Sequence, residues 1–338
     1  MYFKILGSLF GAAVGSAMGT ATAFLSIDRI QDKFHGFVTG FLQPADDSIA
    51  RGQEAGQVSG DFYHTYLLAK CLVAAGGQSS KKIGEEALLK WSEQAQIFEH
   101  FADPTARNVV RKLKTSILPL RHRLYMSHYF ALSANASAVK IFPVGLLCPG
   151  QMQKVLEDAI AITMAVYDDA YSISGACAIA AAVSEAMKPR SKLYDVVQAG
   201  LYGAREGERR GREIARQYPG SSVCKRMEMA IEIGLRSGPA KNKMVELADC
   251  IGSGIAVAEA VPAVFGLLVA NGGNTMESIY SGVNIGNDTI TVATMLGAIT
   301  GALHGVDAVK EENRLVIAEK NQLDIPGLAE DMLALIER

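Results

Sequence analysis

The chain has 338 residues, with 33 basic and 35 acidic side chains and a formal net charge of −2. That balance supplies no general basic field for a phosphate backbone, which argues against a DNA or RNA partner. Hydrophobic residues make up 49%, charged residues 20%, and mean hydropathy is +0.16, values that exclude a disordered chain and leave ample apolar surface to bury.

The first element is apolar. Ile5 to Ile27 carry no charge, a stretch long enough to span a bilayer. Gly7, Gly11, Gly15 and Gly19 recur every fourth residue, a stripe along which a second backbone can approach closely. Lys4 ahead of the stretch and Ala21-Thr22-Ala23 behind it imitate a signal peptide. Ser16, Thr20, Thr22 and the glycines dilute the hydrophobicity, so the expected element is a buried helix at the centre of a helical core. The chain is accordingly expected to be cytoplasmic, with no membrane partner.

Helical spacing continues downstream. Leu67, Leu68, Cys71 and Leu72 follow Asp61, and Ile160, Met164, Val166 then Ile173, Cys177, Ile179, Val183 repeat the pattern. Pro104, Pro119, Pro143, Pro149, Pro189, Pro219, Pro239 and Pro326 read as helix borders. The stretch Ile251 to Ala270 is apolar but interrupted by Glu259 and Pro262. The charged run at 203–216 reads as a solvated helix face. No alternating β run, linker or long-period repeat breaks the pattern. The expectation is about a dozen helices in a single all-α domain over residues 1–338. Five cysteines, at 71, 148, 177, 224 and 250, form no C-x-x-C pair, and read as reduced, mostly buried thiols.

Two small-residue loops end in an aspartate at a helix start: Gly56 to Asp61 and Asn284 to Asp288. A helix N-terminus presents free N–H groups and a positive dipole end, which favours a carboxylate or a bound anion. Ser59, Asp61, Asn287 and Asp288 are also ordinary capping residues, which alone accounts for them.

The segment Ser253 to Ala263, followed by GVNIGNDTITVATMLGAITGALHG at 282–305, resembles the C-terminal signature of the ADP-ribosylglycohydrolase family, of the dinitrogenase-reductase-activating glycohydrolase type. ILGSLFGAAVGSAMGTATAF at 5–24 is similar to that family's opening motif, and NASAVKIFPVG at 135–145 to its N-G-x-x-M-R-I-x-P-x-G. The order and spacing hold from residue 5 to about residue 305. The resemblance implies a single compact multi-helix orthogonal bundle. It also implies hydrolysis of N- or O-glycosidic bonds at the ribose of ADP-ribose adducts, with two Mg²⁺ or Mn²⁺ ions.

Carried over position by position, the family's carboxylates fall on Ser16, Ala23, Gly60, Asp61, Asp288 and Ile290, so only Asp61 and Asp288 are acidic here. The family's T-D-D-T falls on Ser59-Gly60-Asp61-Phe62, its D-x-D-T on Asp288-Thr289-Ile290-Thr291, and its mid-chain T-H-x-D near Val166 to Asp169. Two carboxylates with Ser59 and Thr291 could hold at most one weakly bound Mg²⁺, because a dication pair needs several anionic oxygens. No binuclear site and no other cofactor is therefore expected. The resemblance makes Asp61 and Asp288 the candidate catalytic pair. Ser59, Gly60, Phe62, Asn287, Ile290, Thr291, Asp168 and Asp169 are the candidate substrate-binding residues. Tyr63 and His64 read as packing or surface residues. The functional reading is an N-glycosyl hydrolase acting on a small-molecule ribosyl substrate, smaller than an ADP-ribosyl protein. The alternative is a catalytically lapsed member that binds a ligand or serves as a structural protein. A homo-oligomer is compatible with either.

Overall fold

The computed structural model describes residues 1–115 and 133–338; Pro119 lies outside them. The helices are α1 (Tyr2–Gly19), α2 (Ile27–Phe34), α3 (Gly60–Ala74), α4 (Lys81–Ser92), α5 (Ala95–Phe101) and α6 (Pro104–Thr115). After residue 132 come two short turns of helix, α7 (Ala136–Val139) and α8 (Phe142–Leu147), then α9 (Met152–Thr163), α10 (Ala170–Ala186) and α11 (Leu193–Ile214). The chain continues as α12 (Val223–Leu235), α13 (Ala240–Cys250), α14 (Val257–Ala270), α15 (Thr275–Asn284), α16 (Thr289–His304), α17 (Glu311–Asn321) and α18 (Ile325–Ile336). Among the described residues there is no strand, only two isolated bridges, Ala134 with Ala256 and Asp169 with Arg216.

The uncharged N-terminal stretch is a buried helix, ending at Gly19 rather than running to Ile27. Its glycine row faces α16. A Cβ at Gly11 would stand 2.3 Å from the Gly297 carbonyl oxygen, and one at Gly301 would stand 2.1 Å from that of Gly7. Gly15 meets Ala293 and Gly19 meets Ile290, so the two helices run antiparallel with backbones in contact. The Ser8 hydroxyl donates to the Ala298 carbonyl at 2.9 Å across this seam. α10 and α11 pair in the same way: a Cβ at Gly203 would lie 2.4 Å from the Cys177 carbonyl oxygen, and Gly211 rests on Ala170. The run at 203–216 is thus only half a solvated face. Arg209 bridges Glu206 and Glu213 on the outside, while the glycines pack inward.

Prolines mark borders as their missing N–H requires. Pro104 opens α6, Pro239 caps α13, and Pro143 and Pro326 occupy first turns. Pro262 is the exception, sitting inside α14. No described helix is long and apolar enough to cross a membrane. All five cysteines are unpaired, with only Cys250 exposed. The α1–α16 seam brings the ends of three helices, α1, α3 and α16, to one side of the bundle, where the two small-residue loops meet.

Candidate active site

Ser59 caps α3, its hydroxyl accepting from the Phe62 N–H at 3.4 Å, and this leaves Asp61 in the first turn. Asp288 caps α16 and accepts from the Thr291 N–H at 3.2 Å. Between the two lies a cavity of about 250 Å³, whose wall includes Asp61, Asp103, Asp288, Asn135 and Thr291 among polar side chains and Phe24, Ile49, Phe101, Ile255 and Ile290 among apolar ones. A larger cleft of about 540 Å³ lies beyond Phe101, lined by Arg51, Gln57, Tyr63 and Lys320 but by no carboxylate among the described residues.

The loops that carry these groups are tied together. The Asp288 N–H donates to the Ser253 carbonyl at 3.0 Å, and the Ser253 hydroxyl donates to the Gly286 carbonyl at 2.8 Å. Gly286 and Asn287 adopt left-handed backbone, φ +84° and +57°, turning the chain sharply into α16. Asn135, at the foot of α7, donates its amide to the Asp288 carboxylate at 2.7 Å and to the Gly254 carbonyl at 3.1 Å. Ser16 and Ser59, both fully buried, share a hydroxyl–hydroxyl bond of 2.8 Å that fastens α1 to the cap of α3.

The two aspartates have unequal surroundings. Among the described residues no group donates a hydrogen bond to the Asp61 carboxyl. Burial first, then the nearby Asp288 and Asp103, push its pKa up to about 8, partly opposed by Lys140. Asp288 is also raised by burial, but the Asn135 amide and the Thr291 groups hold it down. An acid kept protonated beside a carboxylate stabilised by donors is the arrangement that separates acid from base. Behind them Lys140 is buried with its ammonium 4.4 Å from the Tyr167 ring centroid. Burial drives its pKa down to about 8 against the pull of Asp103 and Asp61. The Tyr167 hydroxyl donates to the Asp103 carboxylate, whose other oxygen accepts from the N–H groups of Thr105 and Ala106 at 2.7 and 2.9 Å.

Of the residues the sequence singled out, Asp61, Asp288, Ile290 and Thr291 line this cavity. Gly60 does so indirectly: a Cβ there would run into the Phe101 side chain at 2.6 Å. Phe62 is fully buried in the core, because successive helical residues point about 100° apart and Asp61 takes the cavity side. Ser59 is buried as the cap, and Asn287 borders a separate recess beside Asp28 and Asp249. Asp168 and Asp169 sit in a neighbouring recess. There Arg216 Nε donates to Asp168 at 2.9 Å, and Asp169 caps α10 and accepts from the Ser133 hydroxyl at 2.6 Å. His64 is stacked on Trp91 at 4.6 Å, and burial drives its pKa well below the usual value, so it is a neutral packing residue. Tyr63 faces the larger cleft.

The model of the family described as ADP-ribosylglycohydrolase matches residues 2–338. The chain belongs to the ADP-ribosylglycohydrolase family. A relative in Escherichia coli (strain K12), the uncharacterized protein YegU, is 24% identical over 327 residues, 95% of this chain and 93% of that one. A solved structure described as an ADP-ribosylglycohydrolase-related protein complex superposes with a TM-score of 0.68 at 16% identity, covering 99% of this chain and 98% of that one. The all-α orthogonal bundle of that family is the fold seen here.

Several positions aligned with the family's metal motifs are engaged elsewhere in the structure. Ser16 spends its hydroxyl on Ser59, Ala23 and Ile290 are buried apolar residues, and Phe62 is in the core. Among the described residues no three His, Cys, Asp or Glu side chains are grouped for a metal ion. Lys140 places an ammonium where it interacts with both Asp61 and Asp103. Sequence reasoning missed Asp103, Lys140, Tyr167 and Phe24. Asn135 and Lys140 were both within the matched 135–145 motif and could have been found from it.

Proposed function

We propose that the protein hydrolyses the N-glycosidic bond of a small ribosyl compound, using Asp61 and Asp288 and no binuclear metal centre. The observation that carries this is the inequality of the pair: Asp61 pushed up to about 8 with no donor among the described residues, Asp288 held by Asn135 and Thr291. Protonated Asp61 gives its proton to the leaving nitrogen as the C1′–N bond breaks. Ionised Asp288 stabilises the oxocarbenium-like centre and takes a proton from the attacking water, whose oxygen forms the new bond to C1′. Exchange of protons with solvent restores the pair.

The cavity, at about 250 Å³, is smaller than the ~300–1,000 Å³ that drug-sized ligands occupy. It suits a ribosyl ring with a modest leaving group better than an ADP-ribosyl protein, and the three carboxyl groups among its described lining residues disfavour a phosphate within it. The donor set does not fit a pair of hard dications, which want about six oxygens each, several of them anionic. Unpaired cysteines suit a reducing compartment, so we place the protein in the cytoplasm.

The test is turnover of a panel of N-ribosyl compounds with and without EDTA, alongside Asp61→Asn and Asp288→Asn. Activity indifferent to chelator and lost in both variants is the expected result. Activity that vanishes in EDTA and returns with Mg²⁺ would overturn the metal-free reading. Inactivity across the panel would favour a lapsed, ligand-binding role.

A further inference from the structure

Phe24 is 48% exposed and has φ +60°. For a bulky side chain that conformation is an outlier, and such strain persists only where the surroundings enforce it. Here they do so from the catalytic side. The Phe24 N–H donates to the Asn287 carbonyl at 2.7 Å, the peptide that immediately precedes Asp288, and the Asn287 N–H returns a bond to the Leu25 carbonyl at 2.8 Å. Asn287 is itself left-handed. The Thr22 hydroxyl reaches Thr289 at 2.9 Å, so the segment before Phe24 is also pinned to the first turn of α16. The exposed ring is therefore fixed relative to the Asp288 carboxylate, and it lines the same cavity.

Ile255, 59% exposed, lines that cavity as well, on the loop whose carbonyl accepts from the Asn135 N–H at 2.9 Å. Neither side chain is needed to fill the core. An aromatic face and an aliphatic side chain standing in solvent at the rim, one tied to the residue before Asp288 and the other to Asn135, which bonds its carboxylate, form a binding surface for something flat and apolar.

We infer that Phe24, with Ile255 beside it, is the platform on which a flat heteroaromatic leaving group stacks while its ribose sits between Asp61 and Asp288. This rests on the N-glycosidic reading above and names the leaving group's class. The chemistry is consistent. When the C1′–N bond breaks, the electron pair passes to the ring nitrogen, where an aromatic heterocycle can delocalise it, and the Asp61 proton neutralises it. Water supplies the oxygen bonded to C1′, and Asp288 takes the water's proton.

The test reads binding rather than turnover, so it is separable from the catalytic proposal. Free adenine and nicotinamide serve as flat probes and free ribose as the control, titrated calorimetrically into wild type, Phe24→Leu, Phe24→Tyr and Ile255→Ala, each checked for an unchanged melting temperature. Phe24→Leu keeps apolar bulk and removes the π face. The expected result is a Kd for the better flat probe raised about ten-fold in Phe24→Leu, the scale of one base–aromatic stack, a smaller rise in Ile255→Ala, recovery in Phe24→Tyr, and ribose affinity unmoved. On any N-riboside that is turned over, KM rises and kcat holds in Phe24→Leu. Flat-probe affinity unchanged in Phe24→Leu, or no binding of either flat probe to wild type, overturns the inference. Binding that follows this pattern with no hydrolysis of any riboside would leave the platform standing and sink the catalytic reading instead.

Discussion

Removing the charge at Asp61 should make the protein more stable while making it inactive. In the unfolded chain Asp61 ionises near 3.8, and in the folded protein burial and its acidic neighbours raise that to about 8. The folded state therefore holds a proton that the unfolded state releases, and stability falls as pH climbs from about 4 to about 8. At ~1.4 kcal/mol per pH interval, the cost is about 2 kcal/mol at pH 5 and has a ceiling of about 5 kcal/mol at pH 8. Lys140 works in the opposite sense. Its folded pKa of about 8 lies below the usual 10.5, so its cost is complete below pH 8 and is relieved between pH 8 and 10.5. These two groups alone give wild type a stability minimum near pH 8. Asp61→Asn removes the first contribution and, by withdrawing one of the two carboxylates that hold the Lys140 pKa up, deepens the second. Urea unfolding at pH 5 and pH 8 should show the variant's advantage over wild type growing by about 3 kcal/mol, with ~4 kcal/mol as the limit. An advantage that stays constant, or shrinks, across that interval would refute the reasoning. It would mean that Asp61 is solvated and ionised in the folded protein, and the acid role would go with it.

Other outcomes follow from the same geometry. Asn135→Leu withdraws the amide from the Asp288 carboxylate, so the acidic limb of the pH–rate profile should move to higher pH and turnover should drop by about ten-fold or more, the scale of a hydrogen bond to a charged group. Lys140→Met removes a charge that lowers the Asp61 pKa, so the alkaline limb should move above pH 8. An unmoved limb would show that the ammonium does not act on Asp61. Gly11→Ala would place a Cβ 2.3 Å from the Gly297 carbonyl oxygen. With backbone on both sides and nothing flexible to yield, the expected loss is about 3 kcal/mol or more, read as a melting-temperature drop.

Legibility in the sequence followed the locality of each signal. The glycine row of α1 was readable because its period is the helix period, and only its partner, α16, was hidden. The starts of α3 and α16 were readable because caps are local chemistry written within four residues. Phe62 stands next to Asp61, yet neighbours on a helix face different ways, and the core claimed its ring. The charged run at 203–216 was read for its charges, while its glycines, which pack on Cys177 and Ala170, carried the other half of the meaning. Asp103 had no motif to mark it, and Lys140 and Tyr167 lay inside matched segments, at 135–145 and near 166–169, whose patterns did not single them out. They meet only because α6, the α7–α8 junction and the end of α9 converge, a fact of tertiary structure with no local trace. Phe24 was invisible for another reason, since its significance lies in a backbone angle imposed by a hydrogen bond to Asn287.

The seam between α1 and α16 has a consequence for how the molecule is made. The Ser8 to Ala298 bond spans 290 positions of the chain. As synthesis proceeds from N- to C-terminus, α1 emerges long before the surface it must lie against, some 290 residues later. An uncharged, glycine-striped segment then waits, unburied, until α16 appears, in the manner that makes non-local topologies slow to fold and prone to association. Asp288 belongs to the late partner and Asp61 to an early helix fastened to α1 through Ser16 and Ser59. Asp61 and Asp288 can therefore share a cavity only after α16 has docked on α1, so under the proposed mechanism forms truncated before α16 should be inactive.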